Sequence, residues 1–456
     1  MQFISTRGGV NPSNFTDILL QGLASDGGLF VPSIWPKILP ILESDNYTNI
    51  AYKIISPFTE SQIPDSALRE ILKDTYSDKV FGTFEIAPLK KMDTNLYLME
   101  LFHGPTLAFK DIALQFLGRV FDYVLEQNNQ KITIIGATSG DTGSAAIEAC
   151  KGHKNISITI LHPHGRTSDI QRRQMTSIIE DNVHNIAIEG TFDDCQNLVK
   201  QAFGDSELRK AKNLSAVNSI NWVRIIAQTV YYVTAAHKLK TNPLFAVPTG
   251  NFGNIYAAFV GKKMGANIGQ LVIGSNRNDI LTRFFETGAM TLEGVTSSFS
   301  PSMDIQISSN FERALFELTG RDSDKINYWM RELKEKGQFK VSSFELEKIR
   351  SEFSAYRCSD EQIIQTIAKI YKDYKIIIDP HTAVGFHALE QSGLMTQHIS
   401  VALACAHPSK FPEIVKKAIG ITPALPDHLS NLMERPEKYK VMENDYDKLK
   451  SHLMSL

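Results

Sequence analysis

Glu100-Leu101-Phe102-His103-Gly104-Pro105-Thr106-Leu107-Ala108-Phe109-Lys110-Asp111 sets one lysine among apolar residues, just where a helix pattern begins after a glycine-proline break. A solvated lysine titrates near roughly 10.4 and is mostly ammonium, a poor nucleophile. Phe109, Leu107 and Leu114 are placed to desolvate Lys110 and favour the free amine that covalent carbonyl chemistry requires. Taken alone, the same pattern also suits a lysine that reaches past its apolar neighbours to water.

Outward from this stretch, short apolar runs alternate with amphipathic segments. Leu96–Leu101, Ile132–Ile135, Ile156–Leu161, Val183–Ile188, Leu244–Val247, Leu271–Ile273, Ile376–Ile378 and Ile399–Cys405 read as strands. Ile112–Leu125, Ser144–Cys150, Asp193–Phe203, Trp222–Leu239 and Ile255–Met264 read as helices. Such alternation implies α/β layering with mainly parallel sheets. Residues 1–90 differ: Asp26-Gly27-Gly28, Pro32, Pro36, Pro40 and Pro57 break them up, and Phe15–Leu23 and Ser66–Thr75 are helix-like. This predicts a mostly helical N-terminal segment followed by a catalytic region over 91–456. The charged stretch Glu434–Lys450 reads as a solvated helical tail.

Val247-Pro248-Thr249-Gly250-Asn251-Phe252-Gly253-Asn254 begins at a strand end and opens a helix. Two glycines let several N–H groups converge, and the helix N-terminus adds partial positive charge, so the loop suits a phosphate. Neither a P-loop Lys-Ser/Thr nor G-x-G-x-x-G is present. An ordinary strand-to-helix turn is the alternative.

Bulk properties exclude several classes. The chain has 456 residues, 43% hydrophobic, with 48 basic against 50 acidic side chains and a formal charge of −2. That balance gives no general attraction to nucleic acid or to an anionic membrane. The four cysteines, Cys150, Cys195, Cys358 and Cys405, form neither C-x-x-C pairs nor metal-ligand spacings, which predicts no metal and a reducing compartment. No signal peptide is read at the N-terminus, and no apolar run approaches the roughly twenty residues that span a bilayer. A cytoplasmic location is the default expectation, and the sequence leaves monomer and homodimer both open.

A phosphate cradle and a desolvated lysine about 140 residues before it together suit a phosphorylated aldehyde anchored at both ends. Here the sequence resembles the pyridoxal 5′-phosphate enzymes of the tryptophan-synthase β (type II) fold and, within them, the threonine synthase family. The resemblance runs from Ser5-Thr6-Arg7-Gly8 and Ala24-Ser25-Asp26-Gly27-Gly28-Leu29-Phe30-Val31-Pro32 to Ala406-His407-Pro408. Its most specific segments are His103–Asp111 and Gly136-Ala137-Thr138-Ser139-Gly140-Asp141-Thr142-Gly143-Ser144-Ala145-Ala146.

The resemblance implies two interleaved α/β domains, the smaller roughly within 130–215, with the cofactor in the cleft between them. It implies that Lys110 is the Schiff-base lysine and that Gly250, Asn251, Phe252, Gly253 and Asn254 bind the cofactor phosphate through backbone N–H groups. Thr138, Ser139, Gly140, Thr142 and Gly143 would grip the substrate α-carboxylate. Many relatives have asparagine where Asp141 stands, bonding the cofactor's phenolic oxygen; an ionised Asp141 cannot donate that bond, and a protonated side chain or a helix-capping role is its alternative. Ile376-Ile377-Ile378-Asp379-Pro380-His381-Thr382-Ala383-Val384-Gly385 resembles the segment facing the pyridine nitrogen. Thr382 is the expected partner, its neutral hydroxyl leaving that nitrogen largely unprotonated, with Asp379 the rival or a turn-former.

The implied reaction is conversion of O-phospho-L-homoserine and water into L-threonine and phosphate, the last step of threonine biosynthesis. The alternatives are a phosphohomoserine lyase or a serine/threonine dehydratase of the same fold; a non-enzymatic binding protein would hold no cofactor covalently. Arg7, Lys91, Arg166, Arg277 and Arg283 are unranked candidates for the substrate phosphate, and His103 lies near Lys110 in sequence.

Overall fold

A computed structural model describes the backbone of residues 1–456 and all side chains but that of Ser61. The chain forms two compact units. The first comprises 1–18, 23–109 and 219–423, and the second 19–22, 110–218 and 424–456.

The first unit is built on a six-stranded sheet. Its order is Phe353–Arg357, Leu271–Ser275, Leu244–Pro248, Ser400–Ala404, Leu96–Glu100, Leu89–Lys91, parallel except for the last edge strand. Every residue of Leu244–Pro248, Leu271–Ser275 and Ser400–Ala404 is buried. Strands covered on both faces read as unbroken apolar runs, which is why these three are visible in the sequence. Within the same unit Phe3–Ser5 pairs antiparallel with Phe30–Pro32, a short ribbon among the helices expected for 1–90.

The second unit carries a five-stranded, wholly parallel sheet in the order Lys440–Glu443, Val183–Glu189, Ile156–Pro163, Ile132–Ala137, Leu214–Ser215. Glu434–Lys450 is therefore no helical tail. Lys440–Glu443 adds an edge strand, and Asp445 caps the helix Tyr446–Ser455, whose Leu449 and Leu453 are buried. Ile376–Ile378 is likewise not a strand. Ile376 and Ile378 pack into the core with Leu244, Ala246 and Ala402, and the run leads straight into the helix Pro380–Gln391. Among the described residues no helix is long and apolar enough to cross a membrane.

Candidate active site

Within the first unit, Gly104–Phe109 is clamped against 405–410. Phe109 N–H donates to the Cys405 carbonyl at 2.8 Å, His407 N–H to the Leu107 carbonyl at 3.0 Å, and Lys410 Nζ to the Thr106 carbonyl at 2.7 Å. Leu107 sits at φ 62, a left-handed conformation that tightens the turn at Gly104. The next residue, Lys110, starts the helix Lys110–Gln127 of the second unit.

In that unit Lys110 is 7% exposed, and its Nζ lies 3.3 Å from Asp141 Oδ2. The apolar pocket expected for this lysine thus contains a carboxylate. Asp141 opens the helix Asp141–Cys150, and its other oxygen, Oδ1, accepts Gln171 Nε2 at 2.8 Å. At the start of the same helix Thr138 Oγ1 takes the Gly140 and Gly143 N–H groups at 3.0 and 2.9 Å. Ser139 is exposed and Thr142 half-buried.

Gly140 is at φ 149, and a Cβ there would lie 2.5 Å from the Gln171 carboxamide carbon. Gly140→Ala is therefore expected to cost about 1–3 kcal/mol, measured as a lower thermal midpoint. An unchanged midpoint would mean that Gln171 yields without cost.

The Gly250 loop belongs to the first unit. Ser308 Oγ donates to the Gly250 carbonyl at 2.6 Å, and Asn310 N–H and Nδ2 donate to the Asn251 carbonyl at 3.1 and 2.9 Å. In a trans peptide the next N–H points opposite to its carbonyl, so these bonds turn the Asn251 and Phe252 N–H groups the other way. Phe252, at φ 62, buries its ring against Phe311 and Phe353. Asn254 does not offer its side chain oxygen outward: Oδ1 accepts the Tyr231 and Tyr232 hydroxyls. Behind the loop the fully buried Arg313 donates to the Phe30 and Ile220 carbonyls at 3.0 and 2.7 Å and to Asn310 Oδ1.

Thr382 and Asp379 meet at the start of Pro380–Gln391, where Asp379 is the helix cap. The rivals of the sequence are thus direct neighbours. His103 is paired with Glu100 at 2.8 Å.

The basic residues sort clearly. Arg7 pairs with Glu312 at 2.9 Å, Arg277 with Asp360 at 3.4 Å and Arg283 with Asp279 at 2.9 Å, while Lys91 and Arg166 are exposed. Sequence reasoning missed Arg224. It is 3% exposed, its Nε and Nη1 have no hydrogen-bond partner, and burial pushes its pKa down to about 10. The signal was an arginine three residues after the Asn221 cap, on an otherwise apolar helix.

Residues 83–405 match the family described as pyridoxal-phosphate dependent enzyme, 2–76 that described as threonine synthase N terminus, and 382–453 threonine synthase, C-terminal. The threonine synthase of Pseudomonas aeruginosa is 46% identical, over 99% of this chain and 97% of that one. The PLP-bound threonine synthase structure from Brucella melitensis superposes with a TM-score of 0.97 at 46% identity, covering 100% of this chain and 99% of that chain. The yeast threonine synthase structure gives 0.92 at 38%, over 99% and 98%. Fold and matches together define a pyridoxal-phosphate-dependent enzyme of type II fold. The chain belongs to the threonine synthase family.

Proposed function

We propose that the chain converts O-phospho-L-homoserine and water into L-threonine and phosphate, with Lys110 as the residue that carries the cofactor and moves protons. Pyridoxal phosphate, when bound, supplies an aldehyde for the substrate amine and a ring that accepts the electron pair released at Cα. The observation that carries the reading is the buried Lys110 amine set 3.3 Å from Asp141 at a helix start.

The Gly250 loop fits a phosphate. Its carbonyls are tied back by Ser308 and Asn310, which leaves the Asn251 and Phe252 amides to face an anion. A Cβ on Gly250 would lie 3.2 Å from Met303 Cα, so the close backbone approach favours glycine.

Lys110 Nζ takes the Cα proton and returns it before product leaves. Asp141 stabilises Lys110 while it holds that proton, which sets the carboxylate a role other than donating to the cofactor. Thr138 fixes the Gly140–Gly143 turn, placing its amides and the Ser139 and Thr142 hydroxyls for the substrate carboxylate. Arg224 is the cation we assign to the leaving phosphate, because its buried Nε and Nη1 have no acceptor, whereas Arg7, Arg277 and Arg283 are each paired with a carboxylate.

Product analysis tests the reading. Equal amounts of threonine and phosphate are expected from O-phosphohomoserine. Release of 2-oxobutyrate and ammonia in place of threonine would assign the lyase or dehydratase alternative.

A further inference from the structure

Asp379 is fully buried and accepts four donors from its own turn. Oδ1 takes the Thr382 N–H at 3.0 Å and the Thr382 hydroxyl; Oδ2 takes the His381 N–H at 3.0 Å and His381 Nδ1 at 2.7 Å. A carboxylate offers lone pairs alone, so the hydrogen between Asp379 and Thr382 Oγ1 is the one hydrogen the hydroxyl owns. The same logic puts a hydrogen on His381 Nδ1. His381 Nε2 is then an acceptor, and it receives the Ser302 N–H at 3.2 Å. With Asp379 as a carboxylate, the donors and acceptors of the turn close on one another. Thr382 Oγ1 has lone pairs left and no second hydrogen.

Resting on the reading that Thr382 faces the cofactor ring nitrogen, we propose that Thr382 meets this nitrogen as a hydrogen-bond acceptor, backed by Asp379, so that the bound ring carries a proton on nitrogen. This is the opposite polarity to that expected of a lone hydroxyl. The buried negative charge behind Thr382 makes it a better acceptor, because hydrogen bonds in a chain polarise one another. A ring protonated on nitrogen is the stronger electron sink. The reaction draws electron density from both Cα and Cβ, so it benefits more from that sink than chemistry confined to Cα.

The test is nitrogen-15 NMR of the holoenzyme reconstituted with ring-labelled pyridoxal phosphate. The wild-type resonance is expected at the protonated, pyridinium end of the range. Asp379→Asn retains an acceptor for the helix cap but removes the charge, and should shift the resonance toward the unprotonated end. Thr382→Val should shift it as well, and Thr382→Ser should leave it in place. Should Asp379→Asn fail to fold, the Val and Ser pair at 382 decides the matter. An unprotonated wild-type resonance that still responds to Thr382→Val overturns the proposal and keeps Thr382 as the ring's partner. A resonance indifferent to Thr382→Val overturns both. A resonance sensitive to Thr382→Val but not to a folded Asp379→Asn removes Asp379 from the account and overturns the proposal as stated.

Discussion

Lys110→Ala should lower turnover by at least about 10⁴-fold, the upper range for loss of a proton-transferring group, because covalent attachment is lost along with it. The purified variant should bind the cofactor without covalent linkage, since the Gly250 loop is untouched. Two comparisons separate the chemistry from charge and burial. Lys110→Arg keeps a cation beside Asp141 but has no amine that can attach to an aldehyde, so it should be as inactive as the alanine variant. Lys410 is also deeply buried, at 1% exposure, but its Nζ holds the Thr106 carbonyl. Lys410→Met should therefore leave covalent cofactor on the protein, with reduced stability. Normal activity in Lys110→Ala would refute the assignment.

Arg224→Met is the second large effect, and here catalysis and stability should move apart. A guanidinium buried with unpartnered N–H groups costs free energy in the resting protein, of order 1 kcal/mol or more. An apolar side chain of similar volume removes that cost, so the thermal midpoint should hold or rise. The same substitution should lower kcat/KM for O-phosphohomoserine by about 10²–10³-fold, the loss typical of one donor to a developing anion. Inhibition by inorganic phosphate should weaken in parallel. If kcat/KM and phosphate inhibition both stay near wild type, the leaving group is held elsewhere. A collapse in stability would mean instead that Arg224 is a structural cation.

The sequence makes some of this architecture plain and hides the rest for physical reasons. Leu244–Pro248 and Ser400–Ala404 are legible because both faces of a parallel sheet are buried. Ile376–Ile378 shows the limit of that signal: a short apolar run serves equally as a strand or as a core-packed linker, and periodicity cannot separate them. The helices of 311–374 leave weaker apolar traces. Two of them nevertheless carry capping boxes, Ser342 with Glu345 and Ser359 with Gln362, whose spacing marks the helix starts.

The candidate site divides in the same way. Lys110 and the Gly250 loop stand out because glycine, proline and an isolated lysine are conspicuous in sequence. Their supports are not conspicuous. Gln171 reaches Asp141 from 30 residues away, and Ser308 and Asn310 reach the Gly250 loop from 58 and 59 away. Polar residues acting over such separations look like any others until the fold brings them together. Arg224 was hidden for a different reason: the sequence shows that an arginine is present, while only the structure shows that its N–H groups lack acceptors.

Borohydride reduction of the native holoenzyme, followed by proteolysis and mass mapping of the cofactor-bearing peptide, tests the central claim most directly. The account predicts a single modified residue, Lys110, in the peptide containing Ala108-Phe109-Lys110-Asp111. Fixation on any other lysine, or fully active protein with none fixed, would contradict it.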